Sequence, residues 1–179
     1  MSFIPPDTRR RQMLLAALGS AAWPGAQAQG SARPVRLIVP FTPGGSTDIL
    51  ARAIGPKLAA ALGTTVLIDN KPGAGGSLGA TEAAKAEADG NTLLMGHIGT
   101  LAVNPALYPR LGYDPLKSFV PVAWVARVPN VLVVNANSPA KSFKDFLAMV
   151  RARPGPHTYS SGGNGSAAHI TFEFLKLRA

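Results

Sequence analysis

The chain has 179 residues, which is enough for one sizeable core and the start of a second domain. It carries 18 lysines and arginines against 9 aspartates and glutamates, but the basic residues form no run outside the N-terminus. Charge scattered in this way argues against nucleic-acid binding and suits small anions as ligands. There is no cysteine, which excludes a disulfide framework and thiol chemistry.

The N-terminus has the pattern of an export signal. Arginines at positions 9–11 precede an apolar run, residues 13–23, and Ala26-Gln27-Ala28 matches the small-x-small pattern that signal peptidase cleaves. We predict a signal peptide over residues 1–28, exported by the Sec or the twin-arginine route, and a flexible lead over residues 29–34. The apolar run is shorter than the ~20 residues of a spanning helix, so no membrane insertion is expected.

Residues 35–108 are predicted to form a first α/β domain of three strand–loop–helix units. In each unit a short apolar strand is followed by a polar, glycine-rich loop and then by apolar residues at helical spacing. Strands are predicted at residues 35–39, 65–69 and 92–95, and helices at residues 47–62 and 77–90, with a short helix within residues 100–108. Such a repeat indicates an open parallel sheet, in which ligands bind at the carboxyl ends of the strands.

Residues 109–179 are predicted to begin a second α/β domain. Strands are expected at residues 119–127, 130–134 and 157–161, and Ser142 and Asp145 have the spacing of a capping box at the start of a helix. A fourth glycine-rich loop, Gly162-Gly163-Asn164-Gly165, precedes another helix from Ser166. Because the sequence ends inside this helix, we expect the second domain to be incomplete and the chain to be a truncated form of a longer protein.

The loop after the first strand, Pro40-Phe41-Thr42-Pro43-Gly44-Gly45-Ser46-Thr47-Asp48, is a candidate anion site. Pro43-Gly44 suits a type II turn, and Ser46 or Thr47 is placed to cap the following helix. A glycine-rich turn ending at a helix N-terminus presents free N–H groups to an anion, although the glycines also fit a merely tight connection. Asp48 is predicted either to stabilise the helix N-terminus, or to bind a ligand donor or orient the loop N–H groups. Phe41 is predicted to form a wall of the cleft.

Other kinds of site are disfavoured by the motifs. No lysine follows the glycine loops as a nucleotide-binding P-loop requires, and the dinucleotide spacing is absent. The three histidines are widely spaced, with no acid placed to orient one of them for nucleophilic catalysis and no zinc-binding pair among them. His97 and His169 lie beside predicted loops, where hydrogen bonding to the backbone is favoured over catalysis. We therefore expect no cofactor, no metal and no catalytic residue.

Taken together, the signal peptide, the first loop, Asp69-Asn70-Lys71-Pro72-Gly73-Ala74-Gly75-Gly76 and Tyr159-Ser160-Ser161-Gly162-Gly163-Asn164-Gly165-Ser166 resemble one family. It is the Bug-type substrate-binding proteins of tripartite tricarboxylate transporters. The resemblance implies a fold of the type II periplasmic binding protein kind. It implies a periplasmic, monomeric receptor, not an enzyme, which passes a small di- or tricarboxylate or related organic or amino acid to membrane transporter subunits. Two alternatives remain open, namely a receptor for a signalling partner and a hydrolase or transferase with this layout.

The resemblance also implies where the ligand binds. Residues 41–48 and 160–166 would grip a carboxylate from two sides, and the second glycine loop and the turn at Gly99 would line the cleft. Family members are longer than this chain, so we expect the chain as given to bind dicarboxylates weakly or not at all. The predicted ligand-binding residues are Phe41, Thr42, Gly44, Gly45, Ser46, Thr47, Asp48, Gly75, Gly76, Gly99, Thr100, Ser160, Ser161, Gly163, Ser166 and His169.

Overall fold

The computed structural model describes residues 33–153, 155 and 157–179, so the predicted signal peptide lies outside the described residues. From Arg33 onward the chain belongs to one compact unit. Its first elements are strand β1 (Val35–Val39), helix α1 (Ser46–Leu62), strand β2 (Val66–Asn70), a 3-10 turn (Ala74–Gly76), helix α2 (Ser77–Ala84) and strand β3 (Thr92–Leu94). These are followed by a π-helical turn (Gly99–Val103) and by helices α3 (Asn104–Leu107), α4 (Phe143–Ala152) and α5 (Ala167–Arg178).

The three strands form one parallel sheet in the order β2–β1–β3, which confirms the predicted α/β fold class. The central strand places Leu37 opposite Ile68 of β2 and opposite Leu93 of β3. Its residues Ile38 and Val39 are completely buried. An apolar run is expected for a central parallel strand, because helices and loops cover both of its faces.

The core lies where α1 packs on this sheet. Leu37, Val39, Ala51 and Met95 form its buried cluster, and half-buried apolar residues of α1, β2 and β3 surround them. The one polar side chain of β1, Arg36, leaves the core and forms ion pairs with Asp69 on β2 and Glu82 on α2. Apolar contacts therefore pack α1 against the sheet. At the surface, the ion pairs of Arg36 connect β1 to β2 and α2.

Both of the first two helices follow the predicted course, with two differences. Gly63 ends α1 in the left-handed conformation, as predicted, but the N-cap is Gly45 rather than Ser46 or Thr47, and it makes no side-chain cap hydrogen bond. Helix α2 ends at Ala84 instead of continuing to residue 90. In that last stretch the Asp89 carboxylate accepts a hydrogen bond from the N–H of Asn91 at 2.9 Å, and such a local turn competes with helix.

The strands predicted at residues 119–127, 130–134 and 157–161 are not formed, and this prediction was wrong for the structure described. A strand needs a neighbour for its ladder of hydrogen bonds, and these segments have none in the sheet, which within the described part of the chain consists of β1, β2 and β3. Their apolar side chains lie exposed, with Trp124 at 77% and Val131 at 77% of full exposure. Apolar periodicity alone was therefore insufficient to place these residues in a sheet.

The two helices of the C-terminal part begin at the predicted caps. The hydroxyl of Ser142 accepts a hydrogen bond from the N–H of Asp145 at 3.1 Å, and that of Ser166 accepts one from the N–H of His169 at 3.2 Å. The Asp145 carboxylate in turn accepts from the N–H of Lys141 at 3.3 Å, which precedes the N-cap, so this return bond reaches one residue further than in a standard capping box. Among the described helices, none combines the length and the apolar character needed to cross a membrane.

Candidate functional site

Three loops follow the carboxyl ends of the parallel strands and therefore lie at the same edge of the sheet. We call residues 40–48 after β1 the first loop, residues 71–76 after β2 the second loop and residues 96–100 after β3 the third loop. Residues 160–166, which precede α5, are the fourth loop. The candidate site is built where these four segments approach one another.

The first loop is held from inside by the carboxylate of Asp48. This side chain is only 4% exposed, and its Oδ2 accepts hydrogen bonds from the N–H of Gly44 at 2.9 Å and from Nε of Arg52 at 3.0 Å. Its Oδ1 accepts from Nδ2 of Asn70 at 3.0 Å. Asn70 also donates to the carbonyl of Phe41 at 3.1 Å, so one aspartate and one asparagine fix both ends of the loop.

These hydrogen bonds determine the charge state of Asp48. The bonds from Arg52, Gly44 and Asn70, in that order of size, lower the pKa of the carboxyl from 3.8 to about 2. Asp48 is therefore a carboxylate at neutral pH, and both of its oxygens already have donors within the protein. Its observed role is to orient the loop backbone, which was one of the roles predicted for it.

The backbone of the first loop is open to solvent. Residues 42–46 are exposed, and Gly44 has a φ of 87°, as the predicted turn requires of its glycine. A Cβ on Gly44 would meet nothing within 4 Å, and one on Gly45 would meet only the Thr42 carbonyl oxygen at 3.7 Å. The first hydrogen bond of α1 runs from the N–H of Ile49 to the carbonyl of Gly45, so the N–H groups before Ile49 lie at the free end of the helix.

The first, second and third loops meet at Gly76. A Cβ on this residue would lie 2.6 Å from Oγ1 of Thr100 and 3.3 Å from the ring of Phe41, so only glycine fits there. Thr100 is fully buried, and its hydroxyl lies 3.5 Å from the carbonyl oxygen of Gly75, to which it donates. The predicted residues Phe41, Gly75, Gly76 and Thr100 are thus brought together.

His97 of the third loop packs against Phe41, with the two ring centroids 4.9 Å apart in an edge-to-face arrangement. Its Nδ1 accepts a hydrogen bond from the N–H of Gly99 at 3.0 Å. Burial lowers the pKa of His97, which keeps the imidazole neutral and available as an acceptor. This confirms the expectation that His97 hydrogen-bonds to the backbone, and it makes His97 part of the wall beside Phe41.

The fourth loop approaches the second and third loops through glycines. A Cβ on Gly99 would overlap the carbonyl oxygen of Gly165, and a Cβ on Gly75 would lie 2.8 Å from the carbonyl oxygen of Asn164. Behind the loop, Nδ1 of His169 accepts a hydrogen bond from the N–H of Gly165 at 3.3 Å. His169 therefore supports the loop from its own helix.

The remaining predicted residues of the fourth loop are not brought into this contact. Ser160, Ser161 and Gly163 lie exposed, and the hydroxyl of Ser161 accepts a local hydrogen bond from the N–H of Gly163 at 3.3 Å. Ser166 is buried, but its hydroxyl caps α5. Their role in ligand binding stays a prediction.

Two residues that the sequence did not single out are central to the site. Asn70 links Asp48 to the first loop, and its position at the end of a strand that leads into a glycine loop was a signal that could have drawn attention to it. Asn104 is fully buried beneath the second loop, where its Nδ2 donates to the carbonyl of Gly75 at 2.9 Å. Nothing in the local sequence marked Asn104 as a site residue.

Comparison with known proteins identifies the class. Residues 50–179 match the family described as tripartite tricarboxylate transporter family receptor. The chain is 43% identical to Protein BugT of Bordetella pertussis over 148 residues. This match covers 82% of the chain and 45% of BugT. It is similar to the structure of R. palustris Rpa4515 with adipate, with 41% identity, a TM-score of 0.76 and coverage of 80% of this chain and 48% of that one. It is also similar to the structure of MatC from Rhodopseudomonas palustris with bound malate, with 38% identity and a TM-score of 0.74. That match covers 80% of this chain and 49% of MatC.

The chain therefore belongs to the tripartite tricarboxylate transporter receptor family, as its motifs predicted. The family description is that of a receptor, which agrees with the prediction that the chain is not an enzyme. The chain spans about half the length of the relatives that it matches.

Proposed function

We propose that this protein is a periplasmic receptor that captures a small carboxylate and passes it to the membrane subunits of a tripartite tricarboxylate transporter. Family membership supports the receptor role, and the adipate and malate in two similar structures support a carboxylate as the ligand. The signal peptide predicted over residues 1–28 supports export to the periplasm. We further propose that the receptor acts as a monomer.

The observation that carries the proposal is the construction of the first loop. Asp48 accepts the N–H of Gly44 from the buried side and so orients the loop, while a Cβ on Gly44 would meet nothing within 4 Å and one on Gly45 only the Thr42 carbonyl oxygen. A carboxylate placed there meets the N–H groups that precede Ile49 in the first turn and the positive end of the 17-residue helix α1. An exposed backbone without bulky side chains suits a ligand that must approach the main chain closely.

The fourth loop is proposed as the opposite side of the same site. It also ends at a helix N-terminus, that of α5, and the carbonyl oxygens of its Asn164 and Gly165 lie directly against Gly75 of the second loop and Gly99 of the third. In this arrangement Phe41 and His97 form an apolar and aromatic wall between the two anion-binding ends. Such a cleft would hold a small ligand by backbone groups at its charged end and by ring contacts along its chain.

The proposal is tested by identifying what the protein carries. Small molecules released from protein expressed from its complete reading frame are identified by mass spectrometry, and candidate carboxylates are then tested by thermal shift. A ligand present at a hundred times its dissociation constant should stabilise the fold by about 2.7 kcal/mol. If no carboxylate is released and none in the panel raises the melting temperature, the proposed function is wrong.

A further inference from the structure

His97 uses one of its two ring nitrogens within the protein and leaves the other one free. Its Nδ1 accepts a hydrogen bond from the N–H of Gly99 at 3.0 Å. Its Nε2 has no hydrogen-bond partner among the residues that the structure describes. In that part of the chain, Oδ1 of Asn104 is the side-chain atom that is both buried and unpaired, so the unpaired Nε2 of half-buried His97 has access to solvent.

The hydrogen bond from Gly99 determines which nitrogen of His97 carries the proton. A neutral imidazole has one N–H, and the nitrogen that accepts a hydrogen bond is the one without it. Because Nδ1 accepts, the proton lies on Nε2, which is therefore a donor. Turning the ring over by 180° would place a ring carbon against the N–H of Gly99 and lose this bond. Burial lowers the pKa of His97, which preserves the neutral ring at neutral pH.

The ring lies at the boundary between the third loop and the first. It packs edge-to-face on Phe41, with the two ring centroids 4.9 Å apart. Phe41 is followed directly by the exposed residues 42–46 of the first loop. The Nδ1 edge is closed by its own loop, since a Cβ on Gly99 would lie 3.2 Å from that nitrogen. The wall beside the proposed carboxylate site therefore carries one polar group, the Nε2–H of His97.

A neutral N–H donor has a defined chemical preference. It binds oxygen acceptors, and its hydrogen bond is about twice as strong when the acceptor is an ionised carboxylate as when it is neutral. An ammonium group is itself a donor and cannot accept this bond. The arginine next to the first loop does not provide an alternative, because Arg52 already donates to Asp48 and Asn70. The chemistry at this edge of the ring therefore suits a carboxylate oxygen.

We propose that His97 is a ligand-binding residue whose Nε2–H donates a hydrogen bond to a carboxylate oxygen of the ligand. This inference rests on the proposed function, and it adds a side-chain donor to the backbone donors of the first loop. It also specifies the charge of that donor. Because the imidazole binds as a neutral group with its proton already on Nε2, ligand binding takes up no proton.

The test uses two variants that separate the nitrogens of the ring. In His97→Asn the amide oxygen can replace Nδ1 as the acceptor for Gly99, but nothing replaces the donor at Nε2. In His97→Gln the longer side chain can place an amide N–H near the position of Nε2, but the acceptor for Gly99 is lost. Both variants lose the ring that packs on Phe41, so each is the control for the other.

Affinities are measured by calorimetry on protein expressed from its complete reading frame. The probe is whichever of malate, succinate, adipate, glutamate and citrate binds most tightly to the unmodified protein. We expect its dissociation constant to rise at least about tenfold in His97→Asn, and to stay within about threefold of the unmodified value in His97→Gln.

Two measurements on the unmodified protein give a result even if a variant does not fold. Nitrogen-15 NMR of the imidazole should show the proton on Nε2 before and after the probe is added, with the Nε2–H resonance shifted and its exchange with water slowed by the probe. Calorimetry at neutral pH in two buffers of different ionisation enthalpy should give the same binding enthalpy, because no proton is taken up.

Four results would each overturn the inference. These are unchanged affinity in folded His97→Asn, an equal loss of affinity in both folded variants, an Nε2–H resonance that the probe leaves unchanged, and proton uptake on binding. In each of these cases a carboxylate still binds, so the proposed function stands. Absence of binding by all of these carboxylates and by the wider panel would instead contradict the proposed function itself, and the inference with it.

Discussion

The backbone N–H of Gly44 donates a hydrogen bond to the carboxylate of Asp48, with N and Oδ2 2.9 Å apart. This bond spans the turn that opens helix α1, and it leaves the outer face of the loop free. The residue that looks like a ligand contact in the sequence is therefore a support for the backbone that would contact the ligand.

Replacing Asp48 with asparagine should weaken ligand binding and lower the melting temperature. Asparagine has the same shape, but it loses the charge that pairs with Arg52 and one of the two acceptor oxygens. We expect the dissociation constant for the bound carboxylate to rise at least about tenfold in calorimetry. Glu87→Gln, which alters a carboxylate that is 83% exposed, is the matched control and should bind normally. Normal binding by Asp48→Asn would mean that the loop does not depend on this side chain.

The pH dependence of stability should show the contribution of Asp48 at acid pH. Its pKa is about 2 in the folded protein against an ordinary value of 3.8, so the folded state stabilises the carboxylate. The contribution is complete above about pH 4 and is lost as the pH falls from there towards 2, because the unfolded chain takes up the proton first. Asp48→Asn should therefore be less stable than the unmodified protein at neutral pH, and the difference in melting temperature should shrink below pH 4. A difference that stays constant over that range would contradict the assignment.

His97 should titrate below its ordinary pKa of 6.5, because burial disfavours the charged imidazolium. Its Nδ1 must also stay unprotonated to accept the hydrogen bond from Gly99. The imidazole therefore has a higher pKa in the unfolded chain than in the fold, so the unfolded chain binds the proton at the higher pH. His97 should make the free energy of unfolding decrease as the pH falls below 6.5. NMR titration of the imidazole measures the midpoint directly, and a midpoint at or above 6.5 would show that the ring is not held as described.

How far the sequence could predict the fold depends on the kind of contact involved. The first strand and helix α1 were predicted because their signals are local: an unbroken apolar run, apolar residues at helical spacing and a terminating Gly63. The strands expected at residues 119–127, 130–134 and 157–161 were not formed, because strand formation also requires a hydrogen-bonding partner that apolar periodicity does not specify.

The site was predictable to a similar degree. Each glycine-rich loop follows a predicted strand along the sequence, and parallel strands end at the same edge of a sheet, so the loops could be placed together there. The structure brings three of them together at Gly76. The roles of Asn70 and Asn104 depend on contacts between residues that are 22 and 29 positions apart, to Asp48 and Gly75 respectively. No local pattern determines such contacts, so these two residues become visible only in the fold.

Adding a methyl group at Gly99 should separate the fourth loop from the third. A Cβ there would overlap the carbonyl oxygen of Gly165, so one of the two backbones must move. Overpacking of this kind costs about 1–3 kcal/mol, and we expect Gly99→Ala to lose that much unfolding free energy in denaturant titration. Amide hydrogen exchange in residues 162–166 should also become faster.

The matched control for this change is Gly155→Ala, because a Cβ on Gly155 would meet nothing within 4 Å. It should leave both the unfolding free energy and the exchange of residues 162–166 unchanged. Exchange in Gly99→Ala as slow as in the control would show that the fourth loop is not packed on Gly99.

The most direct test of the central claim, that a carboxylate binds to the backbone of the first loop, is calorimetry on Gly45→Val. Gly45 has an ordinary φ of −74°, and a Cβ added there would lie 3.7 Å from its nearest neighbour, the Thr42 carbonyl oxygen. The fold should therefore survive, with at most about 1 kcal/mol of unfolding free energy lost through weaker capping. The valine side chain would nevertheless cover the N–H groups that a carboxylate must reach. With Gly155→Val as the control, we predict that Gly45→Val no longer binds the carboxylate that the unmodified protein binds. Unchanged affinity in a folded Gly45→Val would contradict the claim.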